Sequence, residues 1–120
     1  MRVGVTLAAG AQLTIASTGT VTDFYSALTS PAAVSGAGTV GAAGSIVAST
    51  YGVQFSAGFA NRLILTPGVS ITGTVSGGNT IGATATSTLE LASGASTGTL
   101  TGLGSRYVNF GQIALDADAR

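Results

Sequence analysis

A five-residue pattern that recurs along the chain most strongly limits what this sequence can fold into. In each copy a strand ends on Leu, two small residues follow, and then come a turn residue and a small apolar residue. The copies are residues 7–11, 65–69, 91–95 and 115–119. The last three begin 26 and 24 residues apart, and the first two begin 58 apart, near two such periods plus an insertion. A period near 25 with short strands predicts one coil of a β-solenoid per copy.

Short stretches of alternating apolar and polar residues supply the strands. Pairs such as Leu13/Ile15 stand at i and i+2, which places both side chains on one buried face. Gly or β-branched residues interrupt every window, so helix is predicted only over residues 23–28. Strands are predicted over residues 3–7, 12–15, 45–55, 62–66, 69–75, 88–91, 98–103, 107–110 and 112–115. The predicted fold is all-β: a single domain over residues 1–120, a right-handed parallel β-helix (β-solenoid) of roughly five coils, with the Gly/Ala-rich residues 32–44 as a loop or irregular coil.

Charge is scarce in this chain, and that excludes several classes of function. Asp, Glu, Lys and Arg make up 7% of the residues, against roughly 25% in a typical soluble domain, and the formal net charge is zero. A neutral chain offers no basic surface for nucleic acid or an anionic membrane. The sequence has no His and no Cys, which removes imidazole and thiolate nucleophiles, disulfides and the usual zinc ligands. No run is apolar enough for a signal peptide or a transmembrane helix.

Three segments resemble the passenger repeats of bacterial autotransporter-type and related β-strand-repeat surface proteins. They are residues 76–82 (SGGNTIG), 87–95 (STLELASGA) and 98–104 (GTLTGLG), and the resemblance extends from about residue 53 to residue 119. The family implies a parallel β-helix displayed outside the cell as an adhesin or spacer, and it brings no catalytic residue to these positions. The chain is far shorter than that family and shows no signal peptide. We therefore expect an extracellular or cell-surface location, with the export signal outside this chain.

Ionisable side chains are too few to predict an enzyme, so no catalytic, cofactor-binding or metal-binding residue is assigned. Asp116 and Asp118 stand at i and i+2, where two carboxylates can share a face as an acid pair or as calcium ligands. We interpret them instead as charges on a solvated turn. The Gly-rich stretches lack the Lys and the following helix of a phosphate-binding loop, so we interpret their glycines as corner residues of the solenoid.

A binding module is the alternative function. Flat Thr-x-Thr rows are the surface that solenoid antifreeze proteins present to ice, although Thr is also a common solvent-facing strand residue. Exposed aromatic side chains offer a stacking platform for carbohydrate. Phe55 and Phe110 are predicted in the core, whereas Tyr51 and Tyr107 are the candidates for exposure. The threonine groups are 18/20/22, 72/74, 84/86/88 and 97/99/101.

The two ends of a solenoid expose unpaired backbone N–H and C=O groups, which form a template for association. Neither end of this sequence carries an amphipathic cap helix. Asp116 and Asp118 are placed either to pair with Arg2 of a next copy or to keep the edge soluble. The sequence predicts a non-catalytic structural or adhesive element of the bacterial cell surface, with host or neighbouring-cell surface ligands as further partners. It is either a slice of a longer rod or a subunit that stacks head to tail into a filament. The predicted stacking interface comprises Arg2, Val3, Val5, Leu7, Ile113, Leu115, Asp116 and Asp118.

Overall fold

The computed structural model describes residues 5–22, 32–48, 50–94 and 97–119. Every regular element in these ranges is a β-strand, which confirms the all-β prediction. None of the described residues forms a helix long and apolar enough to cross a membrane. The strands are β1 (Val5–Ile15), β2 (Thr20–Thr22), β3 (Ala32–Ala42), β4 (Ser45–Val47), β5 (Tyr51–Phe55), β6 (Arg62–Leu65), β7 (Ser70–Ile71), β8 (Thr74–Ser76), β9 (Thr88–Leu91), β10 (Tyr107–Val108) and β11 (Gln112–Leu115).

Parallel pairing arranges these strands in three columns, each built by stacking successive coils. The first column runs β1–β3–β5–β8–β10 and the second runs β1–β3–β6–β9–β11. The third column runs β2–β4–β7. β1 and β3 are long enough to join the first column with their amino-terminal halves and the second with their carboxyl-terminal halves. The result is a parallel β-solenoid of about four turns, close to the roughly five coils predicted, while its right hand stays a prediction.

The core consists of apolar side chains stacked in register, one from each coil. At the middle levels these side chains are completely removed from solvent, because a coil above and a coil below cover them. Burial of this kind contributes about 1.5 to 3 kcal/mol per large aliphatic side chain. One row in the first column is Val5, Val34, Val53, Val75 and Tyr107. One row in the second column is Leu13, Val40, Leu63, Leu89 and Ile113.

A further row of the second column explains the recurring Leu pattern and corrects its first copy. This row consists of Ile15, Ala42, Leu65, Leu91 and Leu115. Its members are 27, 23, 26 and 24 residues apart, which confirms the predicted period near 25. Leu7 does not belong to the row, because it lies in the first column opposite Gly36. The member from the first coil is Ile15, and a turn follows it in which Gly19 N–H donates to Ala16 O at 2.8 Å.

Strand β3 corrects the interpretation of residues 32–44 as a loop or irregular coil. It is the central strand of the large sheet, and six of its eleven residues are buried. Glycine makes this possible where β1 approaches most closely: a Cβ on Gly36 would lie 2.1 Å from the carbonyl oxygen of Leu7, and one on Gly38 would lie 2.1 Å from that of Ala11. The abundance of Gly and Ala here therefore reflects tight stacking of backbones.

Turns and connections were predicted with mixed success. Residues 65–69 form the expected type II turn: Val69 N–H donates to Thr66 O at 3.1 Å, and Gly68 has φ +94° after Pro67. Residues 45–55 contain two strands, β4 and β5, rather than one. Residues 98–103 are not a strand, and Leu103 makes only an isolated bridge to Tyr107. The helix predicted over residues 23–28 falls outside the described residues.

Candidate stacking interface

The last coil presents apolar side chains at an edge. Within the described part of the chain, β11 pairs with β9 on one side and with no strand on the other. Ile113 is 42% exposed and Leu115 is 70% exposed, whereas Leu89, one coil inward, is completely buried. The difference arises because no further coil covers β11. Two predicted interface residues, Ile113 and Leu115, therefore lie together on a surface edge that has the chemistry of the core.

The first coil forms the opposite edge. In the ranges that the structure describes, β1 pairs only with β3. Val5 and Leu13 are half-buried, although the residues below them in their rows are completely buried. Leu7 is buried at the corner between the first and second columns. Of the residues predicted for the stacking interface, Val5 and Leu7 thus lie on this edge strand, while Arg2 and Val3 fall outside the described residues.

Asp116 and Asp118 follow β11 on a turn. Asp116 N–H continues the ladder by donating to Leu91 O at 3.0 Å, and Ala119 N–H donates to Asp116 O at 3.0 Å. Asp118 takes the left-handed conformation, with φ +65°, at the position that Gly occupies in earlier turns. Among the described residues, no three His, Cys, Asp or Glu side chains come together. The backbone role of the two aspartates agrees with the interpretation of a solvated turn.

An apolar hollow opens beside β11 at the same end of the solenoid. It encloses about 400 Å³, and its apolar lining comes from Ile81, Leu103, Tyr107, Phe110 and Ile113. Ile81 is 70% exposed and Leu103 is 57% exposed. Sequence reasoning missed both residues, and the available signal was that Ile81 is the one large apolar residue between Val75 and Leu89. Four of the six large apolar side chains that are exposed in the described residues therefore lie at this end, namely Ile81, Leu103, Ile113 and Leu115.

The outward face of the second column carries a polar row that ends in glutamine at both edges. The row consists of Gln12, Thr39, Arg62, Thr88 and Gln112. Thr88 Oγ1 and Gln112 Oε1 lie 3.3 Å apart in a side-chain hydrogen bond between neighbouring coils. Arg62 forms an ion pair with Glu90 on the adjacent strand β9. Side chains of this row therefore bond along the solenoid axis, and Gln12 and Gln112 are its exposed terminal members.

Asn61 stabilises the corner between the first and second columns from the inside. It is 1% exposed and bonds three consecutive coils. Its Oδ1 accepts from Gly38 N–H at 3.1 Å, and its Nδ2 donates to Ser56 O at 2.9 Å and to Gly77 O at 3.2 Å. Every buried polar atom of this side chain therefore has a partner, which is the condition for burying an amide without a large cost.

Asn79 and Ser87 extend the same buried network by one coil. Asn79 Oδ1 accepts from Gly58 N–H at 2.8 Å, and its Nδ2 donates to Phe59 O at 2.6 Å and to Ser87 Oγ at 3.0 Å. Ser87 in turn donates to Gly77 O. Sequence reasoning missed these residues, because an Asn or Ser between strands is usually a solvated loop residue. The network fixes the corner that positions β11 next to the hollow.

The aromatic side chains are mostly structural. Phe55 and Phe110 are buried, which confirms their assignment to the core. Tyr107 is buried too, so its candidacy for an exposed platform was wrong, while Tyr51 is half-buried. Burial raises the pKa of the Tyr107 phenol above its ordinary value of 10.0, and the neighbouring Arg106 guanidinium, 5.9 Å from the ring centroid, offsets part of that rise.

The threonine groups do not lie on one strand column. Thr20 and Thr22 belong to β2 in the third column, Thr74 to β8 in the first and Thr88 to β9 in the second. Thr72 Oγ1 bonds to the backbone of residue 48, donating to its carbonyl at 3.1 Å. The in-register hydroxyl row of the third column is Thr20, Ser45 and Ser70.

Comparison with known proteins adds no relative: no protein-family model, no curated protein and no solved structure matches this chain.

Proposed function

We propose that this protein is a non-catalytic structural or adhesive element of the bacterial cell surface, a β-solenoid segment that lengthens by end-to-end association. The observation that carries the proposal is the edge at β11, where Ile113 and Leu115 are 42% and 70% exposed. An apolar strand edge with unpaired backbone groups is the feature that natural β-proteins ordinarily cover or charge. Here it lies beside an apolar hollow, and the chain carries no net charge to hold copies apart.

The sides of the solenoid support a structural role rather than a chemical one. On the outside of the solenoid, Thr88 bonds with Gln112 and Arg62 pairs with Glu90, in both cases along the axis. Such contacts join one coil to the next and stiffen the rod. The placement outside the cell rests on the resemblance to passenger repeats in residues 53–119.

The experiment is sedimentation velocity over a hundredfold range of protein concentration, followed by negative-stain electron microscopy of the most concentrated sample. We expect the mean sedimentation coefficient to rise with concentration and the images to show rods of uniform width and variable length. A single monomer boundary at every concentration would contradict the proposal. Aggregates without a constant width would also contradict it, because they indicate unspecific apolar contact.

A binding function is the second candidate, and the hydroxyl row Thr20, Ser45 and Ser70 is the observation that favours it. Parallel strands space such hydroxyls about 4.8 Å apart. In the neighbouring row Thr22 pairs with Val47, which has no hydroxyl, so the flat hydroxyl array is narrow. Inhibition of ice recrystallisation by the wild-type protein, abolished by Ser45→Val, would support this candidate. Equal inhibition by both proteins would exclude the row as the binding surface.

A further inference from the structure

In the second column, the two edges of the solenoid carry matching residues. Resting on the end-to-end association proposed above, we propose that the partner at the β11 edge is the β1 strand of a second copy of this chain. The second copy adds in parallel, in the register that places Gln12 on Gln112, Leu13 on Ile113 and Ile15 on Leu115. This register continues each row of the second column across the junction.

The apolar rows carry the first part of the argument. The row through Leu89 is fully buried at its three middle levels, half-buried at Leu13 and 42% exposed at Ile113. Exposure thus rises at both ends of this row. Joining the ends in register covers Ile113 and Leu13 with each other, and it restores the burial found at the middle levels.

The polar row carries the second part. Gln112 already accepts from Thr88 one coil inward, at 3.3 Å. An amide side chain donates as well as accepts, so its NH₂ group has hydrogens to offer to Gln12 of the next copy. Stacked Gln side chains form ladders of this kind between in-register strands. A shift by one residue would place Gln112 against Leu13 and lose the ladder, so the polar row selects the register.

The corner carries the third part. On β3, β1 pairs from Val34 to Ala42, and at the corner three residues of β1, residues 8–10, lie opposite the single residue Ala37. In the last coil, the segment from Tyr107 to Leu115 has the same number of residues as that stretch of β3. The two corner glycines of β3, Gly36 and Gly38, correspond in this count to residues 109 and 111.

Only the second of these positions is suited to a closely approaching backbone. Gly111 carries no Cβ, so Ala11 of the incoming copy can lie on it as Ala11 lies on Gly38 within the chain. Asn109 has a Cβ where Gly36 has none. The outer edge of β10 is also occupied by its own chain, because Tyr107 N–H donates to Gly102 O at 3.0 Å and Tyr107 O accepts from Gly104 N–H at 2.9 Å. The incoming strand therefore pairs over residues 11–15, in the second column alone.

Disulfide trapping between two single-cysteine variants tests the register. The chain has no Cys, so every disulfide comes from an introduced residue. Gln12→Cys and Gln112→Cys are mixed in a thiol–disulfide buffer, with one variant isotope-labelled so that mass spectrometry separates heterodimers from homodimers. In-register neighbours lie about 4.8 Å apart, within the Cα separation that a disulfide spans. The matched control pairs Thr14→Cys with Gln112→Cys, a shift of two residues on the same exposed face.

We expect the Gln12→Cys and Gln112→Cys mixture to give at least tenfold more heterodimer than the control mixture, and more heterodimer than either homodimer. If wild-type protein associates in sedimentation but the control mixture crosslinks equally well, the register is wrong while the proposed function stands. Predominant homodimers would overturn head-to-tail order in the same way. If the wild-type protein stays monomeric and no mixture crosslinks, both the register and the proposed function fail.

Discussion

Leu89 and Leu115, both in the second column, allow stability and association to be tested separately. Substitution by Ala should lower mainly the unfolding free energy at Leu89 and mainly the end-to-end association at Leu115. Leu89 is completely buried, so Leu89→Ala leaves a cavity and costs about 2 to 5 kcal/mol of unfolding free energy. Leu115 is 70% exposed in the isolated chain, so only about a third of its side chain is buried. Full burial of Leu is worth about 1.5 to 3 kcal/mol, and Leu115→Ala should therefore cost less than about 1 kcal/mol of stability.

The association constant should fall in Leu115→Ala and stay unchanged in Leu89→Ala. Stacking a second copy would bury the remaining two thirds of Leu115, worth up to about 1 to 2 kcal/mol. Its loss weakens each end-to-end contact by about 5- to 30-fold. Leu89 has no surface to contribute, so Leu89→Ala leaves association unchanged under conditions in which it is folded.

Urea titration followed by circular dichroism measures the first quantity, and sedimentation velocity measures the second. Each variant serves as the control for the other, because the atoms removed are the same. The reasoning is refuted if Leu115→Ala destabilises the fold as much as Leu89→Ala does. It is also refuted if Leu115→Ala associates as strongly as the wild-type protein.

Three further predictions concern the fold. Asn61→Ala removes hydrogen bonds to three coils and leaves Gly38 N–H and Ser56 O without their side-chain partner, so it should lower the unfolding free energy by about 2 to 4 kcal/mol in urea titration. A loss below about 1 kcal/mol would contradict the bonding role of Asn61. Gly36→Ala should prevent cooperative folding, because the new Cβ would lie 2.1 Å from a carbonyl oxygen of β1; Gly41→Ala in the same strand, with its nearest atom 4.0 Å away, should melt within a few degrees of wild type. Because the pKa of Tyr107 is raised in the folded state, the folded protein keeps the phenol protonated to a higher pH than the unfolded chain does. The unfolding free energy is therefore unaffected by this group below pH 10 and falls as the pH rises beyond it. Tyr107→Phe should reduce that alkaline fall in urea titrations between pH 8 and 11; a variant with the same pH profile as the wild-type protein would refute the assignment.

Regular alternation made part of the fold predictable from sequence. β6, β9 and β11 combine a Leu or Ile at i and i+2 with a turn, and the period near 25 follows from the row that ends at Leu115. β3 escaped prediction because its stability comes from backbones that approach too closely for a side chain at Gly36. Small residues give no periodic apolar signal, so composition indicated a loop. Only the position of β1 reveals why these residues are glycine.

The sequence predicted residues of the candidate interface only where they continue the repeating apolar pattern of the earlier coils. Ile113 and Leu115 continue the alternation of earlier coils, so their place at an edge followed from being last in the series. Gln12 was missed because the first strand was predicted as two separate pieces. Asn61 and Ile81 lie between strands, where sequence alone does not distinguish an inward amide from a solvated one. Their burial and exposure depend on the neighbouring coil.

The corner between the first and second columns varies in length while the strands on either side keep their register. It holds one residue between Gly36 and Gly38, six between β5 and β6, and eleven between β8 and β9. Entropy of loop closure grows slowly with length, so such additions cost little. The corner is thus a natural display position: a foreign peptide inserted next to Gly82, where a Cβ would meet nothing within 4 Å, projects from the rod without altering its pitch. In a chain of stacked copies, that peptide would recur once per copy along one edge, as an array with spacing set by the solenoid itself.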